Sequence, residues 1–228
     1  MKPKQTFKIV IDILMTVLLL LLMAYSLVGE KAHEWLGIGM FALFILHHIL
    51  NNDWSRNLFK GKYTPFRILQ TTLVILALAF MLGSMISGIV LSRYAFSFLS
   101  VSGGQSWART LHMLCAYWGF VVISLHIGLH WNIMMNMAKK MFHKSSVIRA
   151  WMVRLVGLLT AGYGVYAFVK QQIGSYMFLI NQFVFFDYEE PLMRFLLDYM
   201  AVMVLFAALG YYLGKLFAGI GLNPRKEL

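Results

Sequence analysis

The sequence predicts an all-α protein, a polytopic membrane helical bundle with six membrane-spanning segments. Three observations lead there. Of its 228 residues, 60% are hydrophobic and only 13% charged, a balance foreign to soluble domains. Six apolar runs are near or above the roughly 20 residues needed to cross hydrocarbon. The basic residues gather at the ends of those runs. The net charge of +11 would suggest nucleic acid in a soluble chain. Here membrane topology explains it, and a nucleic-acid partner is excluded.

The first segment, residues 7–28, follows MKPKQTFK and looks like a secretion signal. Its apolar stretch is too long and lacks a small-residue cleavage site, so we read it as a retained span. Asp12 lies near its inner end and reaches the interface. The second segment, 33–50, comes after a short connection. The third is 66–91. The fourth, 107–137, is long enough to protrude. The fifth and sixth are 148–169 and 194–217. Residues 92–106 form a small, polar loop. Residues 171–190 carry Tyr176, Phe178, Phe183, Phe185, Phe186 and Tyr188. Such aromatics suit a stretch lying on the membrane surface, or a loop packed over the bundle.

The loops give the orientation. Lys2, Lys4 and Lys8, then Arg56, Lys60, Lys62 and Arg67, then Lys139, Lys140, Lys144 and Arg149, then Lys215, Arg225 and Lys226 all fall on one side. The other side has Lys31, Arg93, Arg109, Lys170 and Arg194, among Asp187, Glu189 and Glu190. The excess of cations predicts a multi-pass protein of the cytoplasmic membrane with both termini in the cytoplasm.

Two of these apolar segments share a plan. His33 and His47 are 14 residues apart in the second, and His112 and His126 are 14 apart in the fourth. A polar residue follows four positions later in each, Asn51 and His130. Fourteen helical residues rise about 21 Å and return to within roughly 40° of the starting face. Topology makes the two segments parallel. His33 then faces His112 near the outer surface, and His47 faces His126 near the inner one. Ionisable groups within a bilayer are costly and mark function. Each facing pair can bind one haem iron through two imidazole nitrogens, which leaves no open site and suits electron transfer. No C-x-x-C-H motif occurs, so the expected cofactors are two non-covalent haems b. The single cysteine, Cys115, rules out disulfide and cysteine-metal frameworks within the chain and reads as a small packing residue.

Haem also needs space and partners for its propionates. Gly37 and Ala116 each follow their outer histidine by four positions, with Gly39, Gly119 and Gly128 as further small surface. Arg93 and Arg109 are candidates at the outer propionates. Asn51, Trp54, Arg56, Trp131 and Lys139 are candidates at the inner ones. His48 points about 100° away from His47. His130 could replace His126, donate to a propionate or pass protons to a quinone; its equivalence to Asn51 favours a supporting role. His143 lies among loop lysines and is not expected to ligate. Asp198 and Arg154 are intramembrane charges placed to pair, unless Arg154 snorkels.

The doubled pattern resembles a known family. Ala32, His33, Glu34, Gly37, His47, Asn51 and Trp54, then His112, His126, His130 and Trp131, are similar to the bacterial flavinylation-associated four-helix di-haem cytochromes b, a family long known only as a domain of unknown function. Ferric-reductase-like and formate dehydrogenase gamma membrane subunits are related in style. The resemblance implies a four-helix cytochrome core over residues 1–140, with a two-helix transmembrane extension over 141–228. It implies His33, His47, His112 and His126 as axial ligands. It also implies electron transfer between membrane quinone or quinol and an extracytosolic flavin-bearing or other redox protein. Two other functions fit the residues: a self-contained oxidoreductase acting on superoxide or a ferric chelate at the outer haem, and a non-haem protein handling protons or divalent metal. Ligands about 21 Å apart cannot share one ion, which counts against the last.

Overall fold

The computed structural model describes residues 3–99, 101, 103–132, 135, 147–185 and 187–220, with no strand among them. Lys2, Lys139, Lys140, His143, Lys144, Phe186, Arg225, Lys226 and the end of the fourth expected span lie outside the described residues.

The helices are α1 (Pro3–Met23), α2 (Tyr25–Val28), α3 (Glu30–Leu50), α4 (Asn52–Arg56), α5 (Pro65–Leu91), α6 (Gln105–Leu129), α7 (Val147–Lys170), α8 (Ile173–Met177) and α9 (Leu192–Ile220). A short 3-10 turn, Ser97–Leu99, precedes α6. Six of them, α1, α3, α5, α6, α7 and α9, are long and apolar enough to cross a membrane, and the chain is a multi-pass membrane protein. The first expected span ends early, at Met23 rather than 28. The chain breaks at Ala24, runs one turn as α2, and reverses at Gly29, whose φ of 85° favours glycine.

The chain forms two compact units. The first comprises Met1–Gly61, Ala79–Tyr117 and Ser175–Leu197. Here α1 lies along α3, and a Cβ at Gly37 or Gly39 would stand 4.0 Å from Leu22 or Leu18 of α1. Ile11, Leu19, Met40 and Phe44 are buried in this unit. Cys115 is buried against Gly83. Of the aromatic segment after α7, Tyr176 is buried and stacks on Tyr117, with ring centres 5.0 Å apart. Its hydroxyl accepts the Phe185 N–H at 3.2 Å. Phe178, Phe183, Phe185 and Tyr188 are exposed, so one aromatic anchors the segment and the others face outward.

The second unit comprises Lys62–Leu78, Trp118–Gly174 and Asp198–Leu228. It is organised on α9. Gly128 of α6 abuts the Ala207 backbone, Gly210 abuts Leu125, and Gly164 of α7 abuts Ala201. Such small residues let membrane helices approach backbone to backbone. Gly128 was expected beside a cofactor; the α9 backbone fills its face instead.

Asp198 is fully buried in this unit. It accepts from the Tyr163 hydroxyl at 2.6 Å, Lys170 Nζ at 2.7 Å and Gln171 Nε2 at 2.9 Å. Its cation is therefore Lys170 rather than Arg154. Lys170 ends α7, whereas Arg154 lies 16 residues earlier, about 24 Å along the helix. Arg154 is exposed, with its guanidinium 5.4 Å from the centre of the Trp151 ring.

Candidate functional site

His33, at the start of α3, and His112, about two turns into α6, are the two histidines that the structure brings together. The rings of His33 and His112 stand 6.0 Å apart, centre to centre, at 69°. Two imidazoles on opposite sides of one metal ion, each nitrogen about 2 Å from it, stand roughly 6 Å apart by their centres. The separation of the two ring centres equals that of such a pair. Nδ1 of His33 is buried without a hydrogen-bond partner. The Leu22 carbonyl approaches the ring but in no hydrogen-bonding geometry at that nitrogen. Tyr25 stands edge-on to His33, ring centres 5.1 Å apart. Partial burial, then the Glu30 carboxylate beside it, raises the Tyr25 phenol above its ordinary pKa.

The tautomer of His112 follows from its partners. Nδ1 lies 3.1 Å from the Ser84 carbonyl and 3.1 Å from Ser87 Oγ. A carbonyl only accepts. The Ser87 hydroxyl hydrogen is engaged with the Gly83 carbonyl at 2.6 Å. Nδ1 must therefore carry the ring hydrogen, which leaves the Nε2 lone pair for a metal. A Cβ on Gly88 would meet the ring at 3.6 Å, so glycine there keeps the edge of His112 clear.

Glu34, adjacent to His33, fixes the chain after α5. Its carboxylate accepts from Ser92 Oγ at 2.7 Å and from the backbone N–H groups of Arg93, Tyr94 and Ala95 at 2.8, 3.0 and 2.8 Å. The side chain of Arg93, expected at a propionate, reaches Glu30 at 3.4 Å. Arg109 is exposed.

At the other end of α3, His47 Nδ1 donates to Asp12 Oδ1 at 2.7 Å. The carboxylate only accepts, so Nδ1 carries a hydrogen, and in the neutral imidazole Nε2 keeps the lone pair. Asn51 is adjacent. Its amide donates to the His47 carbonyl at 2.9 Å and stands 3.4 Å from His47 Nε2, while its carbonyl accepts from Lys8 Nζ at 2.9 Å. The long Asn51–Nε2 contact is weak and readily displaced. His48 is turned into its own helix, Nδ1 on the Phe44 carbonyl at 3.0 Å.

His126 and His130 lie in the second unit, ring centres 4.8 Å apart. Ala116 and Trp54 are partly exposed, and Trp131 is exposed. Among the described residues no three of His, Cys, Asp and Glu converge. The arrangement thus offers paired imidazoles rather than a multi-ligand cage.

Sequence reasoning found the histidines and missed the residues that orient them. Ser84, Ser87 and Gly88 had one visible signal, a run of small residues (GSMISG) within an apolar span. Asp12 had another, a carboxylate in a span with no neighbouring cation closer than Lys8. Compared with protein-family models, with curated proteins and with solved structures, the chain finds no match in any of the three.

Proposed function

We propose that the chain is a di-haem membrane cytochrome b of the flavinylation-associated type. It carries electrons between membrane quinone and an extracytosolic flavoprotein or other redox partner. The observation that carries this reading is the His33–His112 pair, 6.0 Å apart, with Nδ1 of His112 committed to Ser84. A histidine kept only as a buried polar residue has no need of a second imidazole at that separation.

In this reading His33 and His112 hold the outer haem, and His47 and His126 the inner one. Bound between two imidazoles, haem iron supplies one-electron chemistry with no open coordination position. The protein's part is to orient and to exclude. Ser84 and Ser87 fix the His112 ring, Asp12 fixes His47, and Gly88 leaves space at the His112 edge. Glu34, next to His33 in the chain, holds the turn after α5. Lys8 and Asn51 lie beside His47, where an anionic propionate would find donors. Both termini lie in the cytoplasm.

The test is direct. The purified chain, expressed with ample haem, should give a low-spin b-type spectrum on reduction and two haems per chain by pyridine haemochrome. Singly replacing His33, His47, His112 or His126 by Ala should remove one haem each time. Protein without haem would return the histidines to proton or metal handling.

A further inference from the structure

The second unit holds a buried carboxylate to which the di-haem reading gives no part. Asp198 has no exposure and lies six residues after Leu192, about 9 Å along α9. Tyr163 Oη donates to its Oδ1 at 2.6 Å, and Lys170 Nζ and Gln171 Nε2 donate to its Oδ2 at 2.7 and 2.9 Å. Ionisable groups at membrane depth are costly and mark function. Helix adhesion does not require them here. Gly164 already brings α7 onto the Ala201 backbone of α9, and apolar residues of similar volume hold helices as well as a buried ion pair does.

The way to this carboxylate from the lipid is Tyr163. It is 44% exposed on a membrane-spanning helix, while the Asp198 it bonds is buried. Tyr166, one turn on, is also exposed, and the two ring centres are 5.7 Å apart. Gly162 precedes Tyr163 and lies one turn before Tyr166; a Cβ there would meet nothing within 4 Å. The surface of α7 thus offers bare backbone beside two phenol rings, one of them bonded to a buried base. A flat ring bearing oxygens, arriving from the lipid, finds a face to lie on and a group to take its proton.

We propose that Gly162, Tyr163, Tyr166 and Asp198 form a site for the head group of a membrane quinol, with Tyr163 and Asp198 taking its protons. This rests on the di-haem reading above, which supplies the oxidant. One quinol O–H donates to Tyr163 Oη. As its proton moves onto Oη, the Tyr163 proton moves to Asp198 Oδ1, so the phenol stays neutral. Lys170 holds the other oxygen of Asp198 and its side chain is 25% exposed; the proton leaves to water at that end, and the second follows. Each quinol oxidised to quinone releases two protons by this route. Its two electrons pass singly and reduce two ferric haem irons to ferrous.

The experiment follows reduction of the haems by menadiol in the purified full chain, with dithionite as the control reductant. Gly162→Leu covers the bare backbone from the lipid side and should raise KM for menadiol about tenfold or more. Gly157→Leu, at a second α7 glycine with nothing within 4 Å of its Cβ, should leave KM as it is. Tyr163→Phe should keep KM and lower kcat about a hundredfold. All three proteins should retain their haems and be fully reduced by dithionite. Haems that dithionite reduces and menadiol does not would overturn the site and spare the cytochrome reading. So would Gly162→Leu and Tyr163→Phe proteins that menadiol reduces as fast as the unaltered chain. Haem-free protein would overturn both. If Tyr163→Phe fails to accumulate, Gly162→Leu against Gly157→Leu decides alone.

Discussion

Glu34 Oε2 accepts the Ser92 hydroxyl at 2.7 Å, and the same carboxylate gathers three consecutive backbone N–H groups. One side chain at the start of α3 thus satisfies a whole turn of chain after α5. Hydrogen bonds to a charged group contribute about 1.5–3 kcal/mol each when well made, less where water competes. Glu34→Ala should free this turn. Amide exchange at Arg93, Tyr94 and Ala95 should quicken by tenfold or more, while exchange within α1 stays as it is. Unchanged protection at those three amides would mean that the loop holds itself.

Gly88 should tolerate Ala and reject larger side chains. A Cβ there makes ordinary contact with His112 at 3.6 Å, whereas the branches of a Leu would occupy the ring's own position. Overpacking of this kind costs about 1–3 kcal/mol, relieved most simply by turning His112 away. Haem content of Gly88→Leu should fall from two per chain to one, with Gly88→Ala retaining two.

His126 and His130 are neighbours on α6, and substitution separates their roles. His126→Ala should lose one haem. His130→Ala should keep both haems and alter only the spectrum or potential of one. The reverse result would make His130 the ligand and break the matched 14-residue spacing on which the pairing stands.

The Asp198–Lys170 pair should show the asymmetry of a buried ion pair. Removing one partner of such a pair typically costs about 3–5 kcal/mol. Lys170→Met should fall at about 3 kcal/mol, the low end of that range, because Tyr163 and Gln171 still donate to Asp198. Lys170→Met with Asp198→Leu should recover most of the loss. Unfolding in detergent by increasing SDS measures each protein. A double variant as unstable as the single one would show that the Tyr163 and Gln171 bonds, not the charge pair, carry the stability.

Much of this architecture was legible in the chain itself. Apolar length determines how many helices can span a bilayer, so the six spans could be read from runs of residues; the expected limits of the third and fifth lie within one residue of those of α5 and α7. Helical period determines which residues share a face, so His33 and His47 could be placed on one face of their helix by counting. Both properties are local. The sequence did not determine which group takes the far nitrogen of each histidine. That choice belongs to the residues facing it from another helix: Ser84 and Ser87 on α5 for His112, Asp12 on α1 for His47. Nor could it decide whether Asp198 meets Arg154 or Lys170, because hydropathy scores both cations alike; they stand about 24 Å apart along α7, and only the register of α7 against α9 selects Lys170. The break at Ala24 is another such decision, made where α1 must turn at Gly29 and lie back along α3. Local chemistry set the helices and the spacing of their histidines, and the facing of one helix by another set the hydrogen bonds that orient each ring.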